Sequence, residues 1–241
     1  MMCLKIVLVI AFMLQLSKFK ELQLTHQRVK SAYDEKEKQV KQYFLDKKLT
    51  YKDFDLFIRA FKREAQLEIW IKPQGANKYS LLHVYDICSS SGLPGPKRAE
   101  GDYQVPEGVY NINHFNPVSN FYLSLGLDYP NASDKILSDK KRPGGEIYIH
   151  GNCVTVGCIP LTDDKIKEVY VMALEARNNG QKLIPVHVFP VRLNSKQLEV
   201  ISAEYPAHKK FWENLKVVYD DFEGNHQLQS VKVNTTGAYY F

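Results

Sequence analysis

From Leu67 to Arg192 the chain is a succession of short β-type runs separated by Gly and Pro, a pattern that directs it towards a strand-rich core. Leu67-Glu-Ile-Trp-Ile-Lys72 alternates apolar and polar residues over most of its length, as a half-buried strand does. Pro73-Gln-Gly-Ala-Asn77 is turn chemistry, and Tyr79 to Cys88 returns as the second strand of a hairpin. Ser89 to Asp102 is a loop rich in Gly, Pro and Ser. Val109 to Phe115 and Phe121 to Leu127 are further strands, and Asp128 to Asp134 is a loop. Glu146 to His150 is a short strand behind Pro143-Gly-Gly145, and Leu183 to Arg192 is a strong one.

Helical character surrounds and interrupts these strands. Glu21 to Arg63 lacks Gly and Pro and is rich in Lys, Glu, Gln and Leu, so it is expected to form a helix or helix pair standing off a membrane. Thr162 caps a helix whose first residues, Asp163 and Asp164, complement its dipole; Gly180 stops it. More helix starts at Ser195 or Ser202 and runs towards Val218, and the tail after Asp220 is irregular. The expected organisation is an export segment over 1–20, a helical segment over 21–65, a catalytic domain over 66–192 and a C-terminal helical extension over 193–241.

The first residues set the compartment. Lys5 precedes an apolar run from Ile6 to about Leu16, too short to span a bilayer comfortably and of the length of a signal-peptide core. No small-x-small cleavage site follows, which leaves an export signal or an uncleaved signal anchor, with a membrane tether through the N-terminus only. The net charge of +5 is mild, and no Lys/Arg cluster interleaved with stacking aromatics marks a nucleic-acid module. The Lys-rich stretch Lys36 to Lys48 also carries Asp and Glu and is a solvated helix face. A basic surface suits an anionic polymer such as a cell wall.

Of the four cysteines, Cys3 falls in the export segment, so Cys88, Cys153 and Cys158 remain, and an odd count leaves at least one thiol unpaired. The densest chemistry lies between Glu146 and Pro160. His150 ends a strand, Gly151 follows it, and seven residues later Cys158 stands ahead of a helix. A thiol near neutral pH needs a base or a positive field to become a nucleophile, and His150 can supply the base. The helix N-terminus is expected to favour the thiolate. Gly157 permits close approach, so the amides around Cys158 can form an oxyanion hole. Tyr148 alternates with His150 and shares its face.

His-Gly followed by Thr155-Val-Gly-Cys-Ile159 resembles the L,D-transpeptidase catalytic domain, the YkuD-like family. Glu100 to Tyr110, with its Val-Pro-Glu-Gly-Val-Tyr ending, is similar to a second stretch of that family. The short His–Cys spacing, Asn152-Cys153, and Asn116 to Gly126 with Tyr129-Pro-Asn131 resemble its YafK-type branch. The resemblance spans roughly Leu67 to Pro190. It implies a mainly β fold, an L,D-transpeptidase-like β-sandwich. It implies Cys158 as nucleophile, His150 as base, the Gly151 carbonyl orienting the imidazole, and the Gly157 and Cys158 amides holding the oxyanion. Thr155 stands where the family usually has Ser, and Tyr129 and Asn131 are expected in a substrate-binding loop. Val156 and Ile159-Pro160 replace a His and an Arg common in the family.

The activity so implied is acyl transfer on peptidoglycan stem peptides through a Cys158 acyl-enzyme, in the periplasm or cell envelope. The alternative is a hydrolase or amidase releasing stem peptide or a diaminopimelate-linked wall protein. A non-catalytic wall-binding module and a redox protein using Cys153 and Cys158 are the other classes. C-x4-C with one His is poor for zinc, so no metal is expected, nor any cofactor. Cys153 is expected as a small buried residue and Cys88 as core. His83 is expected to be structural, His114 to line the groove, and His187 to face outward.

Overall fold

A computed structural model describes residues 18–241; the export segment falls almost wholly outside them. Eight strands form one curled sheet: β1 (Phe54–Phe61), β2 (Gln66–Pro73), β3 (Ser80–Asp86), β4 (Gly108–Asn116), β5 (Ser124–Leu127), β6 (Tyr148–His150), β7 (Ile159–Pro160) and β8 (Ile184–Phe189). Their spatial order is β3-β2-β1-β8-β4-β5-β6-β7. The expected mainly β architecture thus takes the form of a single sheet with helices before and after the core. The longer helices are α1 (Gln27–Asp46), α3 (Asp163–Asn178), α4 (Ser195–Glu204) and α5 (Lys209–Asn225); α2 (Ala132–Leu137) is short. Past α5, the tail is less irregular than expected, for β9 (Lys232–Val233) pairs with β10 (Tyr239–Tyr240).

The helical reading of Glu21 to Arg63 holds as far as Asp46 and fails at β1. Phe54-Asp-Leu-Phe-Ile-Arg-Ala-Phe61 is a central strand, antiparallel to β2 and parallel to β8. It is buried on both faces, so it shows no period-two alternation. Leu56, Ile58 and Ala60 join the large core under α3, while Phe57 and Phe61 face α5. Even Arg59 is buried there, paired with Glu223 at 2.7 Å and Glu68 at 3.5 Å and surrounded by the rings of Phe61, Trp70, Phe189, Tyr219 and Phe222.

Nor does α1 stand off the domain. Val29, Ala32, Val40 and Phe44 are fully buried. Its sparse apolar stripe suffices because its polar side chains meet carboxylates of α3. Tyr33 donates to Glu175 at 2.7 Å, Tyr43 donates to Glu168 at 3.1 Å, and Lys36 lies 3.8 Å from Glu168. Among the described residues no helix is long and apolar enough to cross a membrane.

Thr162 caps α3 as expected, accepting from the Lys165 amide. His187 does not face outward: on β8, between Phe57 and Phe189, it is 3% exposed and its Nδ1 has no partner. Both faces of β8 are covered, so alternation could not place it. His83 stacks on Tyr43 at 4.2 Å, a structural role.

Candidate active site

The sheet's far edge brings the two motif residues together. β6 and β7 run parallel, with Ile149 opposite Ile159 and His150 opposite Pro160. Cys158, one residue before β7, therefore lies beside Tyr148, and the Tyr148 amide donates to Cys158 Sγ at 3.4 Å. The thiol also meets the Glu146 carbonyl at 3.6 Å. Residues two apart in a strand share a face, so this register turns Cys158 to the side that carries His150.

His150 is 1% exposed and held tightly. Its Nδ1 lies 2.5 Å from the Gly151 carbonyl, which fixes Nδ1 as the protonated nitrogen and leaves the Nε2 lone pair open. The Phe121 ring packs on the imidazole, centroids 4.6 Å apart. Burial holds His150 below the ordinary imidazole value, partly offset by the Gly151 bond. Gly151 leaves no room for a side chain: a Cβ would come within 2.6 Å of Asp163 Oδ1 and 2.9 Å of the Phe121 carbonyl.

Burial pushes the Cys158 thiol up, against a smaller lowering by the Tyr148 amide and Lys97. The expected help from a helix N-terminus is absent. β7 intervenes between Cys158 and α3, and Asp163 at that terminus accepts from the Asn152 amide at 2.8 Å. Both directions favour the uncharged forms of thiol and imidazole.

Thr155 closes the turn around Cys158. Its Oγ1 accepts the Cys158 amide and donates to the Cys158 carbonyl, each at 2.9 Å. The Gly157 amide, with Gly157 at φ +90°, donates to Ser91 Oγ at 2.7 Å. Both amides assigned to the oxyanion are therefore engaged in the resting protein.

The cysteine pairing differs from expectation. Cys88 and Cys153 form a disulfide, with Cα atoms 5.5 Å apart, and Cys158 is the free thiol among the described residues. Cys153 is thus exposed and disulfide-bonded rather than a small buried residue, and Cys88 is a half-buried cross-link at the end of the hairpin rather than core packing. The bond ties the segment after β3 to the turn that precedes Cys158. No group of three or more His, Cys, Asp or Glu able to hold a metal occurs among the described residues.

Cys158 lines a 260 Å³ cavity whose walls include Ala60 of β1, Lys62 and Arg63 just after it, the Ser89–Pro94 loop, Val188 of β8, and Glu204 and Tyr205 at the end of α4. Sequence reasoning found none of these wall residues; the serine-rich run Ser89 to Ser91 was legible only as a loop. A second cavity, of 310 Å³, has His114, Tyr129, Glu146 and Tyr148 in its lining. Tyr148 donates to Glu146 at 2.5 Å. Tyr129 donates to the Pro143 carbonyl at 2.9 Å. Asn131 is occupied elsewhere: it caps α2 by accepting from the Asp134 amide, and its side-chain nitrogen donates to the Val109 carbonyl and Tyr239 Oη.

Residues 55–188 match the family model of the L,D-transpeptidase catalytic domain. The chain is 34% identical to the YafK protein of Escherichia coli over 180 residues, 74% of this chain and 70% of that protein. Among solved structures, it is similar to the helical cell shape determining protein Pgp2 of Campylobacter jejuni, with 24% identity, a TM-score of 0.44, and coverage of 56% of this chain and 48% of that one. Bd1075 of Bdellovibrio bacteriovorus aligns with 20% identity and a TM-score of 0.41, over 70% of this chain and 63% of that one. By the family match over more than half its length, and by its kinship with the Escherichia coli protein, this chain belongs to the L,D-transpeptidase catalytic domain family.

Proposed function

We propose that this chain is a cysteine acyl transferase of peptidoglycan stem peptides, with Cys158 as nucleophile and His150 as general base. The observation that carries the reading is the His150 Nδ1 to Gly151 carbonyl bond beside a free thiol that opens on a cavity. His150 Nε2 takes the thiol proton as Sγ attacks the substrate carbonyl. The Gly157 and Cys158 amides turn from Ser91 and Thr155 to the oxyanion. On collapse, the carbon–nitrogen bond breaks, the leaving amine takes the proton from imidazolium, and a thioester to Cys158 remains. An incoming amine, or water, then loses its proton to His150 and displaces Sγ. Tyr148 and Tyr129 border the acceptor side, and Asn131 supports the loop from outside the cavity. The Cys88–Cys153 disulfide supports an oxidising compartment, hence the periplasm or cell envelope.

The test is to incubate wild type and Cys158→Ala with diaminopimelate-containing muropeptides and resolve the products by mass spectrometry. Wild type yields new cross-links, or freed stems if water is the acceptor; the variant yields neither. Equal product patterns from the two proteins would sink the proposal.

A further inference from the structure

Two backbone groups meet the Cys158 thiol, and they favour opposite states of it. The Tyr148 amide donates to Sγ at 3.4 Å and suits a thiolate. The Glu146 carbonyl accepts the thiol hydrogen at 3.6 Å and suits only the neutral thiol. The two are held by different means. Tyr148 lies in β6, opposite Gly126 of β5, so the sheet fixes its amide. Glu146 lies outside the strand, in the turn that follows Gly144 and Gly145. Its backbone takes φ +54°, a left-handed conformation that residues other than glycine enter at a cost.

Two glycines precede this position, yet a glutamate occupies it, and its side chain is in use. The Tyr148 hydroxyl donates to Glu146 Oε2 at 2.5 Å, and that bond, together with burial, pushes the hydroxyl up to about 12. A strand side chain thereby clasps the turn residue whose carbonyl holds the thiol hydrogen. Arranged so, the hydrogen points at Glu146 rather than at His150. The proton must leave that carbonyl before the imidazole can take it.

We propose that Glu146 is a positioning residue for Cys158: clasped by Tyr148, it parks the thiol hydrogen on its carbonyl and keeps the resting thiol from its base. The inference rests on the acyl-transfer reading for the proton's destination and adds how the resting thiol is restrained. When the clasp opens, the S–H bond turns from the Glu146 carbonyl to His150 Nε2. The proton passes to the imidazole, which becomes imidazolium, and the electron pair stays on sulfur as thiolate with the Tyr148 amide still donating to it. Both clasp groups line the 310 Å³ cavity, so the restraint is open to that side. Thiolate character governs oxidation, so the same restraint shields the one free thiol among the described residues.

The pH profile of Cys158 alkylation by iodoacetamide tests this, read by mass spectrometry of the peptide that carries Cys158 from the unreduced full chain. Tyr148→Phe and Glu146→Gly are each expected to speed alkylation near pH 7 by about two- to tenfold, the yield of one lost hydrogen bond, and to move the profile to lower pH. The double variant is expected to match the singles, because both break one clasp. Glu146→Gln removes the charge but still accepts from Tyr148, so it is expected to stay closer to wild type than Glu146→Gly. The other titratable groups facing the thiol stay in place throughout: His150 on the same strand, Lys97, whose charge reaches the thiol, and across the cavity Lys62 and the Arg63–Glu204 pair. Glycine enters the left-handed region freely, so Glu146→Gly keeps the turn. Tyr148→Phe, which loses only a hydroxyl, carries the test by itself if thermal unfolding shows that Glu146→Gly does not fold. Wild-type alkylation in the single variants overturns the proposal, as do additive effects in the double variant or equal effects of Gln and Gly at position 146. Clasp-dependent alkylation in a protein that turns over no muropeptide would instead sink the catalytic reading and leave the restraint standing.

Discussion

Ser91 Oγ sits on the Gly157 amide at 2.7 Å, so the donor assigned to the oxyanion is capped by a side chain from the loop after β3. Substrate must displace that hydroxyl, and a hydrogen bond of this kind contributes about 0.5–1.5 kcal/mol net. Ser91→Ala is expected to raise kcat/KM a few-fold with little change in folding stability. A loss of about tenfold or more in steady-state assays would show instead that Ser91 holds the turn in its working shape.

The buried pair also sets a pH profile. His150 is held below its ordinary value of 6.5, so it stays a neutral base to lower pH than a free imidazole. The acid limb of kcat/KM is expected below pH 6.5. Cys158 is raised above 9.0, so its alkylation rate in His150→Ala should climb through and past pH 9. His150→Ala should cost about 10²- to 10⁴-fold in kcat. Rapid alkylation at pH 6 in that variant would show a thiolate made by another group.

The Cys88–Cys153 disulfide closes a loop with a sequence separation of 65. The double serine variant is expected to lose about 2–4 kcal/mol in denaturant unfolding. Peptide mapping after labelling of the unreduced protein should find Cys158 modified and Cys88 and Cys153 protected. Labelling of Cys153 would refute the pairing.

Gly151→Ala tests the orienting carbonyl. The added methyl meets Asp163 Oδ1 and the Phe121 carbonyl well inside contact distance. The strand end must shift, and with it the Nδ1 contact of His150. A fall in kcat of about 10²-fold, typical of a misplaced catalytic group, is expected beside a modest loss of stability. Wild-type kcat would show that the carbonyl does not position the ring.

Legibility followed the physics of each residue. The strand ending in His150 and the cap at Thr162 are local features, and their residue types announce them. β1 was hidden because burial on both faces removed its alternation and placed Arg59 among aromatic rings, where a charge suggested solvent. The partner of Cys88 lay beyond any spacing rule. Arg63 and Glu204 carry no sequence signal; 141 positions apart, they meet only because the β1–β2 turn and α4 border one cavity.

The sheet order has a consequence for synthesis. β1 to β3 form one locally wound half and β4 to β7 another, and within the sheet β8 joins them, pairing with β1 on one side and β4 on the other. One half carries Cys158 and His150; the other supplies Ala60, Lys62 and Arg63 to the cavity. Val188 of β8 and Glu204 and Tyr205 after it close the wall that the two halves begin. The cavity beside Cys158 is thus completed only by segments that follow both halves in the sequence.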